Sequence, residues 1–115
     1  MTNPLESQPS FGEVFARIDD IPGWLTRDQA RTLYDAAHGL PAGSRIVEIG
    51  SHQGRSTVVL ASASATNEVV AIDPFVGGKF GGDLTRRHFE RHLQENGVTD
   101  RVRLVTQRSV QVRGS

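Results

Sequence analysis

Residues Ile46 to Thr57, reading Ile-Val-Glu-Ile-Gly-Ser-His-Gln-Gly-Arg-Ser-Thr, constrain this chain more than any other stretch. Ile46 to Ile49 is short and β-branched, the pattern of a parallel strand buried on both faces. Gly50 ends it, and Gly54 permits a tight turn and close approach of a ligand to the backbone. Ser56 and Thr57 open a helix whose N–H groups and positive dipole end face the turn. That geometry accepts an anion such as a phosphate or a carboxylate. Spacing separates the ligand classes. A P-loop needs G-x-x-x-x-G-K-[ST], but Gly50 to Gly54 is one residue short and Arg55 replaces the lysine. A dinucleotide fingerprint needs G-x-G-x-x-G, and Ser51-His52 leave out its second glycine. What remains is E-x-G-x-x-x-G, headed by Glu48. A βα turn with no ligand is the plain alternative.

The helix from Ser56 is expected to run through Val58, Val59, Leu60 and Ala61 to about Ala65, with Asn67 as its C-terminal cap. Its small residues suit close packing on a sheet. Val69 to Ile72 is the second buried strand, followed by Asp73 and Pro74. Strand, helix and strand make a βαβ unit with parallel strands. Asp73 lies roughly 20 residues beyond the glycine turn, at the end of the second strand, where it can accept two hydrogen bonds from ribose hydroxyls. Glu48 is a charge within an apolar strand. An unpaired buried carboxylate is costly, so a partner is expected, and a ligand ammonium is the natural candidate.

Around this unit the chain reads simply. Phe11, Val14, Phe15 and Ile18 recur at helical spacing, and Ile21-Pro22-Gly23 breaks that helix. Trp24 and Leu25 are expected to pack on the sheet or to cover a ligand cleft. Thr26 and Gln29 form a capping-box pattern for a helix carrying Ala30, Leu33, Tyr34 and Ala37 and ending at Gly39. His38, in its last turn, favours the helix dipole as a cation. Phe75 to Asp83 is a glycine-rich connection. Asp83 or Thr85 is expected to cap a helix carrying Leu84, His88, Phe89, His92 and Leu93 and stopping at Asn96-Gly97. His88 and His92 have a spacing that a metal could use, but no carboxylate or cysteine accompanies them, so a solvated positive face is expected and no metal. Val102 to Val105 is the third strand.

Composition excludes several classes. Lys and Arg number 13 against 13 Asp and Glu, so no net basic field attracts nucleic acid. Cysteine is absent, which removes disulfides and thiolate metal sites. No run approaches the roughly 18 apolar residues of a membrane span, and the polar N-terminus is unlike a signal peptide. A cytoplasmic protein without membrane partners is expected. At 115 residues there is room for one domain with a real core.

Ile46-Val47-Glu48-Ile49-Gly50-Ser51, then Val70-Ala71-Ile72-Asp73-Pro74-Phe75, then Gly97 to Val105 together resemble successive blocks of the class I, Rossmann-like methyltransferases that use S-adenosylmethionine (SAM). Ser51 and the Asp73-Pro74 pair resemble the small-molecule O-methyltransferase branch. The resemblance implies that Glu48 holds the methionine amino group, that Gly50, Ser51 and Gly54 form the floor beneath the cofactor, and that Ser56 and Thr57 meet the methionine carboxylate. It implies that Asp73 binds the ribose, Phe75 lies near the adenine and Ser109 touches its edge. His52 would face the methyl or the substrate, and Arg55 would be a solvated helix residue. The reaction implied is methyl transfer to a hydroxyl of a small-molecule acceptor, driven mostly by alignment, with a base to remove the proton.

The resemblance covers about Leu40 to Ser109, and the chain supplies about three parallel strands of the family's larger sheet, in the order 3-2-1. Residues 1–39 are expected to form a tail and helical cap, and 40–115 the cofactor-binding half-domain of an α/β fold whose C-terminal half is absent. Catalytic residues are therefore not identifiable. Strand one would expose an apolar edge, an association hazard that predicts a homo-oligomer through that edge or the helix faces beside it. Two other functions stay open. One is a non-catalytic truncated module that acts by self-association, and the other is an NAD-binding module sharing the βαβ unit and Asp73.

Overall fold

A computed structural model describes residues 9–73 and 81–106, with side chains of the last helix described from Leu84 onward. Two helices come first, α1 (Phe11–Ile18) and α2 (Arg27–His38). An alternating strand–helix series follows: β1 (Arg45–Ile49), α3 (Arg55–Ser62), β2 (Glu68–Ile72), α4 (Gly81–Glu95), a short 3-10 turn (Thr99–Arg101) and β3 (Val102–Val105). The strands form one parallel sheet in the order β1-β2-β3, as the sequence implies.

Local chemistry sets the helix limits. Ser10 caps α1 by accepting from the Glu13 N–H at 3.2 Å. Thr26 and Gln29 form the reciprocal capping box of α2, at 3.2 and 3.0 Å. Phe11, Val14 and Ile18 of α1 and Ala30, Tyr34 and Ala37 of α2 are buried. Helix α3 is buried from Thr57 to Ser62, because its small residues let it sit between the first two helices and the sheet. It ends at Ser62, not near Ala65. Its last carbonyls are satisfied from outside, since the imidazole of His38 donates to the Ala63 carbonyl at 2.8 Å and Arg101 to that of Ala61 at 3.2 and 3.3 Å.

Asn67 is not the C-terminal cap of α3. It is buried, accepting from the Ser44 N–H at 3.1 Å and donating to the Ala37 carbonyl at 3.3 Å, and so ties the entry of β1 to the end of α2. Asp83 and Thr85 are not helix caps either, because α4 already begins at Gly81. The glycine-rich connection at 74–80 lies outside the described residues.

Register explains which side of the sheet is covered. Ile46, Val69 and Val102 align across the strands, as do Glu48, Ala71 and Leu104. This face packs against Val14, Val58, Phe89 and other residues of all four helices. Strand residues alternate between faces, so Val47 and Ile49 point the other way and are 57% and 69% exposed. The expectation that β1 is buried on both faces is thus corrected. Among the described residues β1 is an edge strand with helices on one side only.

Candidate functional site

The C-terminal ends of the parallel strands lie at one edge of the sheet, where ligands of open α/β sheets bind. The turn from Gly50 to Gly54 leaves β1 there, and Asp73 follows β2. Gly50 and Gly54 have φ of 81° and 94°, in the left-handed region. A Cβ at Gly50 would meet nothing within 4 Å, whereas one at Gly54 would lie 3.2 Å from the Phe89 ring. Gly50 is therefore open toward the site, and Gly54 is where the turn presses on α4. His52 also has a left-handed φ, 52°, costing a non-glycine residue about 1 kcal/mol. Its N–H donates to Asp73 at 2.6 Å, which locks the β1 turn to the end of β2. Pairing between strands alone does not make this bridge.

The carboxylate of Glu48 accepts hydrogen bonds from the hydroxyls of Ser56 and Thr57. Glu48 points into the core face beside the start of α3, so its expected partner is supplied by the protein. Each carboxylate oxygen keeps a further lone pair, so an ammonium could still be held there. The hydroxyls of Ser56 and Thr57 are turned to Glu48, so what the start of α3 offers an anion is backbone N–H. No side chain caps this helix, whose N-cap is Gly54. Ser51 is 2% exposed, and its hydroxyl is the one buried side-chain polar atom without a hydrogen-bond partner among the described residues. Phe75 and Ser109 lie outside the described residues.

A cavity of about 790 Å³ opens over this turn. Gly50, Ser51, His52 and Ser56 line one side, and Pro22, Trp24 and Leu25 of the α1–α2 linker line the other. Trp24 is 98% exposed, so it does not pack on the sheet and instead borders the cleft. Arg55 is not a solvated helix residue. It donates to the carbonyls of Ile18 at 2.6 Å, Ile21 at 3.0 Å and Leu25 at 3.0 Å, which fixes the linker against the turn. One of them, the Ile18 carbonyl at the end of α1, also accepts from the Ile21 N–H at 2.9 Å, so the guanidinium takes its second lone pair.

His92 also departs from expectation. It is buried rather than solvated, and its Nδ1–H donates to the Gln53 carbonyl at 2.7 Å, bracing the turn from α4. No group of three or more His, Cys, Asp or Glu residues among the described ones could hold a metal. Arg55 and His92 as positioning residues were missed from sequence because their partners are main-chain carbonyls 30 to 39 positions away, which carry no side-chain signature.

A parallel α/β sheet here brings a glycine turn, an uncapped helix start and an aspartate after the second strand to one edge, the place where open α/β sheets take ligands. A family model described as a methyltransferase domain matches residues 47–115, and the chain belongs to that family. The fold is similar to that of the O-methyltransferase TomG from Streptomyces achromogenes, involved in tomaymycin synthesis and solved in complex with SAM. The TM-score is 0.65 at 22% identity, over 89% of this chain and 43% of that one. A methyltransferase from Geobacter sulfurreducens matches with a TM-score of 0.62 at 27% identity, over 86% of this chain and 49% of that one. A SAM-dependent O-methyltransferase from Thermotoga maritima matches at 0.63 and 17%, over 86% and 34%. The chain spans less than half the length of these three proteins.

Proposed function

We propose that this chain is the SAM-binding portion of a methyltransferase that modifies a hydroxyl of a small molecule. The observation that carries the reading is the unpartnered, buried hydroxyl of Ser51 at the floor of the cavity, beside an uncapped helix start. A buried hydroxyl without a partner costs about 1–3 kcal/mol, which a ligand atom would relieve. The residues fit the cofactor. Asp73, oriented by the His52 N–H, would accept from the ribose hydroxyls. Gly50 leaves room for close approach. The N–H groups opening α3 would meet the methionine carboxylate, and Glu48 the amino group. When bound, SAM would supply an electrophilic methyl for the acceptor oxygen. The protein's part is to hold the cofactor and to shape the cavity in which an acceptor aligns with it.

The chain divides in this reading into an N-terminal tail and helical cap, 1–39, and a cofactor-binding unit, 40–115. It acts in the cytoplasm on a small-molecule acceptor, with no nucleic acid or membrane partner; no helix among the described residues is long and apolar enough to cross a membrane. Self-association at β1 is a second element of the proposal, supported by its unpaired outer edge among the described residues and by the exposure of Val47 and Ile49 on the face beside it. A module working only through such contacts is the competing function.

Calorimetric titration with S-adenosylhomocysteine tests the cofactor reading. Micromolar binding, about −8 kcal/mol, weakened at least about tenfold by Asp73→Ala, is expected from the loss of charge-assisted hydrogen bonds. Absence of binding by a folded chain would move the self-associating module to the front. Displacement by NAD with equal affinity would favour the dinucleotide alternative.

A further inference from the structure

His92 lies in the last turn of α4 and is 7% exposed. Its main-chain carbonyl accepts from the Asn96 N–H at 3.2 Å and from the Asn96 side-chain amide at 2.8 Å, so it sits in a well-held helix end. Its imidazole crosses from α4 to the glycine turn, where Nδ1–H donates to the Gln53 carbonyl at 2.7 Å. A carbonyl only accepts, so this bond places a proton on Nδ1. The same peptide unit is held at its other end, because the Gly54 N–H donates to the Ser51 carbonyl at 2.9 Å. Gly54 has φ of 94°, and a glycine takes either sign of φ about as readily, so no Cβ opposes a flip of the Gln53–Gly54 peptide unit. A flip would swing its carbonyl away from α4 and toward Ser51. The bond from His92 selects the orientation from which α3 starts, with the N–H groups of Arg55, Ser56 and Thr57 next along the chain. His92 is not among the residues lining the cavity, so it acts from behind the turn.

We propose that His92 is a positioning residue for the amino-acid end of the cofactor: by holding the Gln53 carbonyl it aims the first N–H groups of α3 at the methionine carboxylate, and it leaves the nucleoside end unaffected. The proposal rests on the cofactor reading above. N–H groups that are already aimed bind a carboxylate best, because any reorientation on binding subtracts from the affinity. The same hold makes α4 part of the site. The ring of Phe89, three residues before His92, lies 3.2 Å from where a Cβ on Gly54 would be, so Phe89 keeps a side chain out while the imidazole fixes the backbone. Asp73 is held separately, by the His52 N–H at 2.6 Å. The two ends of the ligand should therefore respond differently to loss of the imidazole.

The full chain is titrated with S-adenosylhomocysteine and with methylthioadenosine, which carries the same nucleoside and sulfur but no carboxylate. His92→Leu fills much of the space without a donor, and His92→Asn puts an amide N–H at the place of Nδ1. The Leu variant is expected to bind S-adenosylhomocysteine at least about tenfold more weakly, and methylthioadenosine within about threefold of wild type. The Asn variant should bring S-adenosylhomocysteine back to within about threefold. Equal loss of both ligands, no loss in the Leu variant, or an Asn variant as weak as the Leu variant overturns the proposal. NMR of the wild-type chain decides even where the Leu variant does not fold. The neutral imidazole of His92 should carry its proton on Nδ1, and S-adenosylhomocysteine should shift the Gly54 amide peak where methylthioadenosine does not. A proton on Nε2 instead, or equal shifts with both ligands, overturns the proposal. A wild-type chain that binds neither ligand overturns the cofactor reading instead. The Gly54 and Arg55 amide peaks then still decide whether His92 sets the turn: displacement in His92→Leu with recovery in His92→Asn supports it, and unmoved peaks overturn it.

Discussion

Tyr34 couples ionisation to folding at the scale of a single residue. Its ring packs edge-on to Phe11 and stacks on His38, and its hydroxyl donates to the Pro9 carbonyl at 3.0 Å. Burial pushes its pKa above the ordinary value of 10.0, Arg31 pulls it back, and Asp35 and Glu13 add to the rise. The unfolded phenol therefore ionises first. Its contribution to stability is complete below about pH 10 and is lost as pH rises through the higher folded pKa. Urea unfolding at neutral and strongly alkaline pH should show a larger loss for wild type than for Tyr34→Phe, and equal losses would contradict this. At neutral pH the same variant should cost about 1 kcal/mol for the missing hydrogen bond. Side chains such as Tyr34, Arg55, His92 and Asn67 were legible in sequence only as residue types. Their partners are main-chain groups, and backbone carries no residue-specific signal.

Among the elements, α3 and the turn before it fix the site. The helix begins where Gly54 takes φ 94°, and the Phe89 ring lies where a Cβ would go. Gly54→Ala should destabilise the chain by about 1–3 kcal/mol, through backbone strain and contact with Phe89. Gly50→Ala has the strain without the contact and should cost less, about 1 kcal/mol. Denaturation midpoints at unchanged slope measure both, and equal costs would mean that the packing of α4 on the turn is unimportant. The positions of α1, α2, β2 and β3 were readable because each carries its own period or cap, as in Thr26 with Gln29. The end of α3 was not. Ala63 and Ala65 favour a helix, but Ser64 turns its hydroxyl to the Thr66 N–H at 3.3 Å, and His38 and Arg101 reach the last carbonyls from outside.

For the whole molecule the decisive feature is the face of the sheet that stands open at β1 among the described residues. Val47 and Ile49 stand exposed on β1, whose outer edge pairs with no strand among the described residues. Sedimentation at rising concentration should therefore show self-association, and Val47→Lys with Ile49→Lys should shift the chain toward monomer, because edge lysines oppose strand pairing. A wild-type chain that stays monomeric at high concentration would count against this surface. Local signals alone gave away the parallel α/β class and the place of the glycine turn and Asp73, because periodicity, caps and glycines survive without context, whereas the strand order was legible only through the family resemblance. Tertiary structure alone decided that Glu48 is met by Ser56 and Thr57, that Ser51 is buried without a partner, and that Arg55 holds Trp24 at the cavity rim. Those facts depend on which distant groups share a face, and that is fixed only when strands and helices pack.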